Sequence, residues 1–165
     1  GNDKIKGLIN YSPNVAMARW DSYLLNKPWG LQIARAVFGG DFYSYEDNEE
    51  NQKYWYTRYR IEALVQLQEL LEATMLEENF AMVDQPFFMG YYYKDKLLQD
   101  QVVSVAAMHE MYDQLGTPEA LKRSIAFPEA GEHVISSSLK SGCIDDLRME
   151  TFKFAEEVLK MQPVN

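Results

Sequence analysis

The sequence predicts an α/β fold of about three parallel strands with flanking helices and a helical insertion after the first strand. Three observations predict it. Short apolar runs alternate with segments of helical periodicity, and that alternation implies a parallel sheet with helices on its faces. The first two runs are separated by residues 14–83, far more than the dozen or so residues that a crossover needs. An acid-bearing loop then follows the second strand, and a histidine-bearing loop follows the third.

Taken in order, Lys4 to Asn10 (KIKGLIN) reads as a short buried strand, stopped by Ser12-Pro13-Asn14, where Pro13 lacks an N–H. The loop leaving it is expected at the C-terminal edge of the sheet, where α/β folds bind ligands. Ala16 to Leu25 and Leu31 to Phe38 carry apolar residues at helical spacing, the second closing at Gly39-Gly40. Asp41 to Asn51 is acidic and turn-rich and reads as an exposed loop. Its acids lack the ligand order and central glycine of a calcium loop.

Gln52 to Met75 reads as a helix, with Ile61, Leu64, Val65, Leu67, Leu70, Leu71 and Met75 recurring near period 3.6. Its leading KYWYTRYR interleaves aromatics with Arg, and packing against a neighbouring helix is the favoured role. The insertion over residues 14–83 is a candidate cap over a site.

Residues 84–165 then read as strand, helix, strand, helix. Gln85 to Tyr93 opens with Pro86, tolerated at a strand start, and Gly90 admits the close approach of another backbone. Val105 to Leu115 is a helix with Ser104 as N-cap and Gly116 as its stop. Arg123 to Phe127 is the third strand. Leu147 to Leu159 is the closing helix, with Asp145 and Asp146 at its start to serve as caps and complement the dipole.

Composition narrows the function. Of 165 residues, 47% are hydrophobic and 13% aromatic, enough for a packed core. A net charge of −9 argues against nucleic acid, which needs Lys and Arg patches on phosphate. No run reaches the roughly 18 apolar residues of a membrane span. The one cysteine, Cys143, excludes an internal disulfide and a cysteine zinc site and reads as a spare thiol. Gly1, standing without an initiator Met, reads as a cleavage scar. Any signal peptide would lie upstream, so localisation is unassigned.

There are two histidines. His109 lies inside a helix and reads as a surface or packing residue. His133 lies in Ala130-Gly131-Glu132-His133-Val134, just after a strand, where a glycine-containing loop can aim a general base at the sheet edge. The acid that would orient it has two candidates on one loop, Asp95 and Asp100. Asp100 is preferred because it stands at the entrance to the helix, whereas Asp95 sits between Lys94 and Lys96.

The run from Pro86 to Val158 resembles the C-terminal part of an α/β-hydrolase of the serine esterase or lipase type. Gln99-Asp100-Gln101-Val102-Val103-Ser104 resembles the family's D-x-V-V-P pattern, with Ser104 in place of Pro. Ala130-Gly131-Glu132-His133-Val134-Ile135 is similar to its G-x-H. The first strand fits the one after the nucleophile helix, and residues 14–83 fit the cap position. The resemblance implies Asp100 as triad acid, His133 as base, a small carboxylic ester as substrate, and no cofactor or metal.

The family's nucleophile elbow, G-x-S-x-G, is absent, as is the oxyanion loop before it. Ser12 precedes a proline, Ser104 fits a helix cap, and Ser136, Ser137 and Ser138 follow the histidine without a strand–Ser–helix turn. The chain is therefore expected to be the C-terminal half of a serine hydrolase whose nucleophile lies upstream of residue 1, and to be inactive alone. It is also expected to form homo-oligomers through the surface that such a truncation exposes. The competing expectation is a stand-alone, non-catalytic α/β interaction domain.

Overall fold

The computed structural model describes residues 4–162. Its centre is strand β4, Phe87–Tyr91, all of whose residues are buried. It pairs in parallel with β1, Leu8–Tyr11, on one side and with β5, Lys122–Ala126, on the other, giving the order β1-β4-β5. A parallel strand covered on both faces needs an unbroken apolar run, and Phe87-Phe88-Met89-Gly90-Tyr91 supplies one.

Alternation along β4 divides the core in two. Phe87, Met89 and Tyr91 join Val105, Met108 and Met111 of α5, Val105–Gln114. Phe88 and Tyr92 join Leu147 and Phe154 of α6, Ile144–Glu157. Phe88 and Phe154 are fully buried, their ring centroids 5.5 Å apart. Each such ring contributes about 1.5–3 kcal/mol by leaving water. Gly90 lies on the α6 face, where a Cβ would stand 3.1 Å from Phe127 and 3.3 Å from Leu147. It makes room for side chains, where a backbone neighbour was expected.

Helix α5, the crossover from β4 to β5, forms much as its caps dictate. The Ser104 hydroxyl accepts from Ala107 N at 3.2 Å, and at the far end Lys122 donates to Tyr112 O at 3.1 Å. Gly116 follows α5 where a Cβ would fall 2.3 Å from the Ala81 carbonyl oxygen, at the end of α4, Glu77–Ala81. Helix α6 starts earlier than its apolar period suggests. Asp145 and Asp146 lie in its first turn, where they complement the dipole. Neither caps it, because Cys143 occupies the N-cap position.

The chain divides into two compact units, one of Gly1–Ala18 with Met75–Asn165 and one of Arg19–Thr74. Three expectations fail in and around the second. Ala16 to Leu25 does not form an α-helix. Met17 bridges Val103, Ala18 N donates to Val102 O at 2.9 Å, and Ser104 N donates to Ala16 O at 2.8 Å. Those backbone groups are committed to an extended pairing, and only Ser22–Asn26 coils, as a 3-10 turn. The predicted loop at 41–51 contains β2, Phe42–Ser44, and the start of α2, Glu49–Gln52.

The long helix from Gln52 is also shorter than predicted. Helix α3 spans Ile61–Thr74, while Arg58–Arg60 forms β3, antiparallel to β2. Arg58 and Tyr59 of the aromatic-basic stretch pack across this hairpin, and Arg60 pairs with Glu62 of α3 at 2.6 Å. The Arg58 guanidinium lies 3.8 Å from the Phe42 ring centre, and Tyr45 stacks on Tyr59. Helix α1, Gly30–Phe38, does end at Gly39, whose φ of 76° is the left-handed cap that glycine favours.

Candidate active site

Three chain segments converge beyond the C-terminal ends of the strands. The first follows β4. Tyr93 and Gln99 bridge, and between them Asp95 accepts from Leu97 N at 2.8 Å and Leu98 N at 2.9 Å, building the tip of an exposed excursion. The chain returns so that Asp100 N donates to Tyr92 O at 3.1 Å. The Asp100 side chain is fully buried. Oδ1 accepts from Val102 N at 2.9 Å and Val103 N at 3.0 Å, leaving Oδ2 aimed away from the loop.

The second segment follows β5. Phe127 N donates to Tyr91 O at 2.8 Å, and the chain turns through Gly131 at a φ of 79°. This left-handed residue swings His133 back over the sheet edge. Its Nδ1 lies 2.8 Å from Asp100 Oδ2, and the ring remains 29% exposed. The two residues stand 33 positions apart in sequence.

An ionised carboxylate only accepts hydrogen bonds, so the shared proton belongs to His133 Nδ1. The neutral ring then carries its lone pair on Nε2, the state required of a general base. Burial pushes the Asp100 carboxyl up. The His133 hydrogen bond, the Val103 and Val102 N–H groups and the positive charge of a protonated His133 ring push it down by more, so it stays below the usual carboxylate value. Asp95 is also held low, by the Leu97 and Leu98 N–H groups, but it is exposed and bonded to its own turn.

The third segment follows β1. Ser12 N donates to Gly90 O at 2.8 Å, and its hydroxyl donates to the His133 carbonyl at 2.8 Å. Sequence reasoning set Ser12 aside as a poor nucleophile. A contact to the main chain of the base has no sequence signal beyond a serine at the end of a strand.

Among the described residues, no serine hydroxyl bonds to the His133 ring. Ser104 caps α5, and the Ser137 hydroxyl accepts from Leu139 N at 3.3 Å. His109 is exposed on α5, its ring edge-on to Tyr91 with centroids 5.1 Å apart. Cys143 is buried, with Sγ 3.3 Å from the Ser141 hydroxyl. Among the described residues, no group of three or more His, Cys, Asp or Glu side chains is arranged to hold a metal ion. None of their helices is long and apolar enough to cross a membrane. A cleft of about 380 Å³ opens beside the acid's loop, lined by Ala18, Leu97, Gln99, Gln101 and Ser104 among others, but not by His133.

No protein-family model and no curated protein matches the sequence. Among solved structures, the chain is similar to one from a report on LipS and LipT, two metagenome-derived lipolytic enzymes. The TM-score is 0.62 at 17% sequence identity. The match covers 93% of this chain and 56% of that one, so the chain spans little more than half of the matched structure. The likeness concerns the fold, which is a partial α/β-hydrolase-like one.

Proposed function

We propose that this chain is the C-terminal part of a serine hydrolase acting on carboxylic esters. Asp100 serves as the orienting acid and His133 as the general base. The observation carrying this reading is the 2.8 Å contact between a buried carboxylate and His133 Nδ1 at the C-terminal edge of a parallel sheet. The likeness to a lipolytic enzyme supports the ester as substrate class.

In this mechanism His133 Nε2 takes the proton of a serine hydroxyl as the serine attacks the ester carbonyl. It then returns the proton to the leaving alcohol. The Asp100 carboxylate keeps the reactive lone pair on Nε2 and stabilises the imidazolium that forms between the two steps. The serine and the oxyanion donors come from sequence upstream of residue 1. Without them the pair has no nucleophile to activate, and the chain alone is inactive. In this reading the insertion over residues 14–83, which contains the compact unit Arg19–Thr74, serves as the cap of the complete enzyme. Asp95 builds its turn and takes no part.

The test is a fluorophosphonate probe applied to the protein carrying its native upstream sequence. Labelling is expected, lost in His133→Ala and kept in His109→Ala. A folded upstream-containing protein that takes no label would overturn the reading and favour a non-catalytic interaction domain.

A further inference from the structure

Ser12 is held in a conformation that its sequence disfavours. Its φ is 46°, in the left-handed region that non-glycine residues seldom adopt. The next residue is Pro13, and a following proline pushes the residue before it toward extended backbone. Strain of this kind persists only where surrounding contacts over-determine it. Two contacts do so here. Ser12 N donates to Gly90 O at 2.8 Å, adding one rung to the β1–β4 ladder beyond Tyr11. The buried hydroxyl donates to the His133 carbonyl at 2.8 Å. That carbonyl also accepts from Ile135 N at 3.0 Å, so both of its lone pairs are used.

His133 is therefore gripped at two points. Asp100 holds the ring from the loop after β4, and Ser12 holds the main chain from the turn after β1. The histidine loop follows the last strand of the described sheet, and Ala130 and Ile135 anchor it in the core on either side of His133. We propose that Ser12 is a positioning residue, whose hydroxyl fixes the main chain of His133 so that Nδ1 reaches the Asp100 carboxylate. The proposal rests on the reading of Asp100 and His133 as an acid–base pair. It gives the left-handed turn a purpose, since an extended Ser12 would aim its side chain elsewhere.

The test is nitrogen-15 NMR of the His133 ring in the 165-residue chain. In wild type the neutral ring should carry its proton on Nδ1, and that proton should exchange slowly with water. Ser12→Gly relieves the backbone and removes the hydroxyl. It should speed that exchange about tenfold, the factor set by losing one buried hydrogen bond. It should also admit the Nε2-protonated tautomer while the urea midpoint stays near wild type. A folded Ser12→Gly chain with a wild-type His133 ring overturns the proposal. Should Ser12→Gly fail to fold, Ser12→Cys keeps the β-carbon with a weaker donor, and a wild-type ring in that variant overturns it equally. Asp100→Asn is the control. If the ring does not respond to that change, the acid–base pair itself falls, and the positioning role with it.

Discussion

Replacing Asp100 separates the structural job its carboxylate performs on two backbone N–H groups from the catalytic job proposed for it. Asp100→Ala removes the acceptor of the Val102 and Val103 N–H groups together. Val103 is 1% exposed, so its N–H is stranded at about 1–3 kcal/mol. Val102 is 53% exposed, and water can take its N–H at a loss of about 0.5–1.5 kcal/mol. The His133 ring is partly exposed and also recovers water. Relief of the buried charge offsets part of this, leaving a net cost of about 3 kcal/mol for alanine.

Asparagine keeps Oδ1 in place for both N–H groups and loses only charge assistance, about 1 kcal/mol. The gap of about 2 kcal/mol corresponds to about 1 M in urea midpoint for a chain of this size. Urea melts of both variants of the 165-residue chain measure it. In the upstream-containing protein the order of harm changes. The asparagine N–H donates into His133 Nδ1 and drives the ring proton to Nε2. On the proposed mechanism, turnover should then fall about 10⁴-fold although most stability remains. Equal midpoints for the two variants, or an asparagine variant weaker than the alanine one, would refute the assignment of Asp100 Oδ1 to the two backbone donors.

Further outcomes follow from the same structure. Asp100 has a depressed folded pKa, so its stabilisation is fully present above its unfolded value of about 3.9 and is lost as pH falls through the folded value. The wild-type advantage over Asp100→Asn should shrink in acid urea melts below about pH 4, and parallel profiles down to strong acid would contradict this. Gly116→Ala drives a Cβ onto the Ala81 carbonyl and should cost about 1–3 kcal/mol. A neutral melt would show that the α4–α5 junction shifts freely. Strand β1 has β4 as its one partner among the described residues, and Ile5 and Ile9 are 45% and 42% exposed. Self-association in sedimentation, reduced by Ile9→Lys, is therefore expected. A wild-type monomer at tens of micromolar would count against it.

The reading of Gln85 to Tyr93 as a strand comes from its continuous apolar run, which the structure narrows to Phe87–Tyr91 and places between β1 and β5. The end of α1 and the course of α5 were legible for a related reason. Ser104, Gly39 and the apolar period of α5 act within a turn or two of chain, and local chemistry of that range is written locally. Periodicity misled where a distant partner competed for the backbone. Residues 16–18 have helical spacing but pair with 102–104, and Arg58 to Arg60 continue a helical pattern but pair with Phe42 to Ser44.

The candidate site divides along the same line. An acid after one strand and a histidine after the next were visible as residue types in order, since parallel strands deliver their following loops to one edge. Which of Asp95 and Asp100 meets the ring depended on how the intervening loop folds back, and the bridge from Tyr93 to Gln99 decided it. Ser12 became part of the arrangement only in three dimensions. Its partner lies 121 residues away, and the left-handed turn that aims it is the reverse of what a serine before proline suggests. Sequence determined the three strands of the parallel sheet, the helix after β4 and the edge that carries the chemistry, because those depend on local propensity and burial. Tertiary structure decided which side chains touch, because that depends on where loops without a period of their own come to rest.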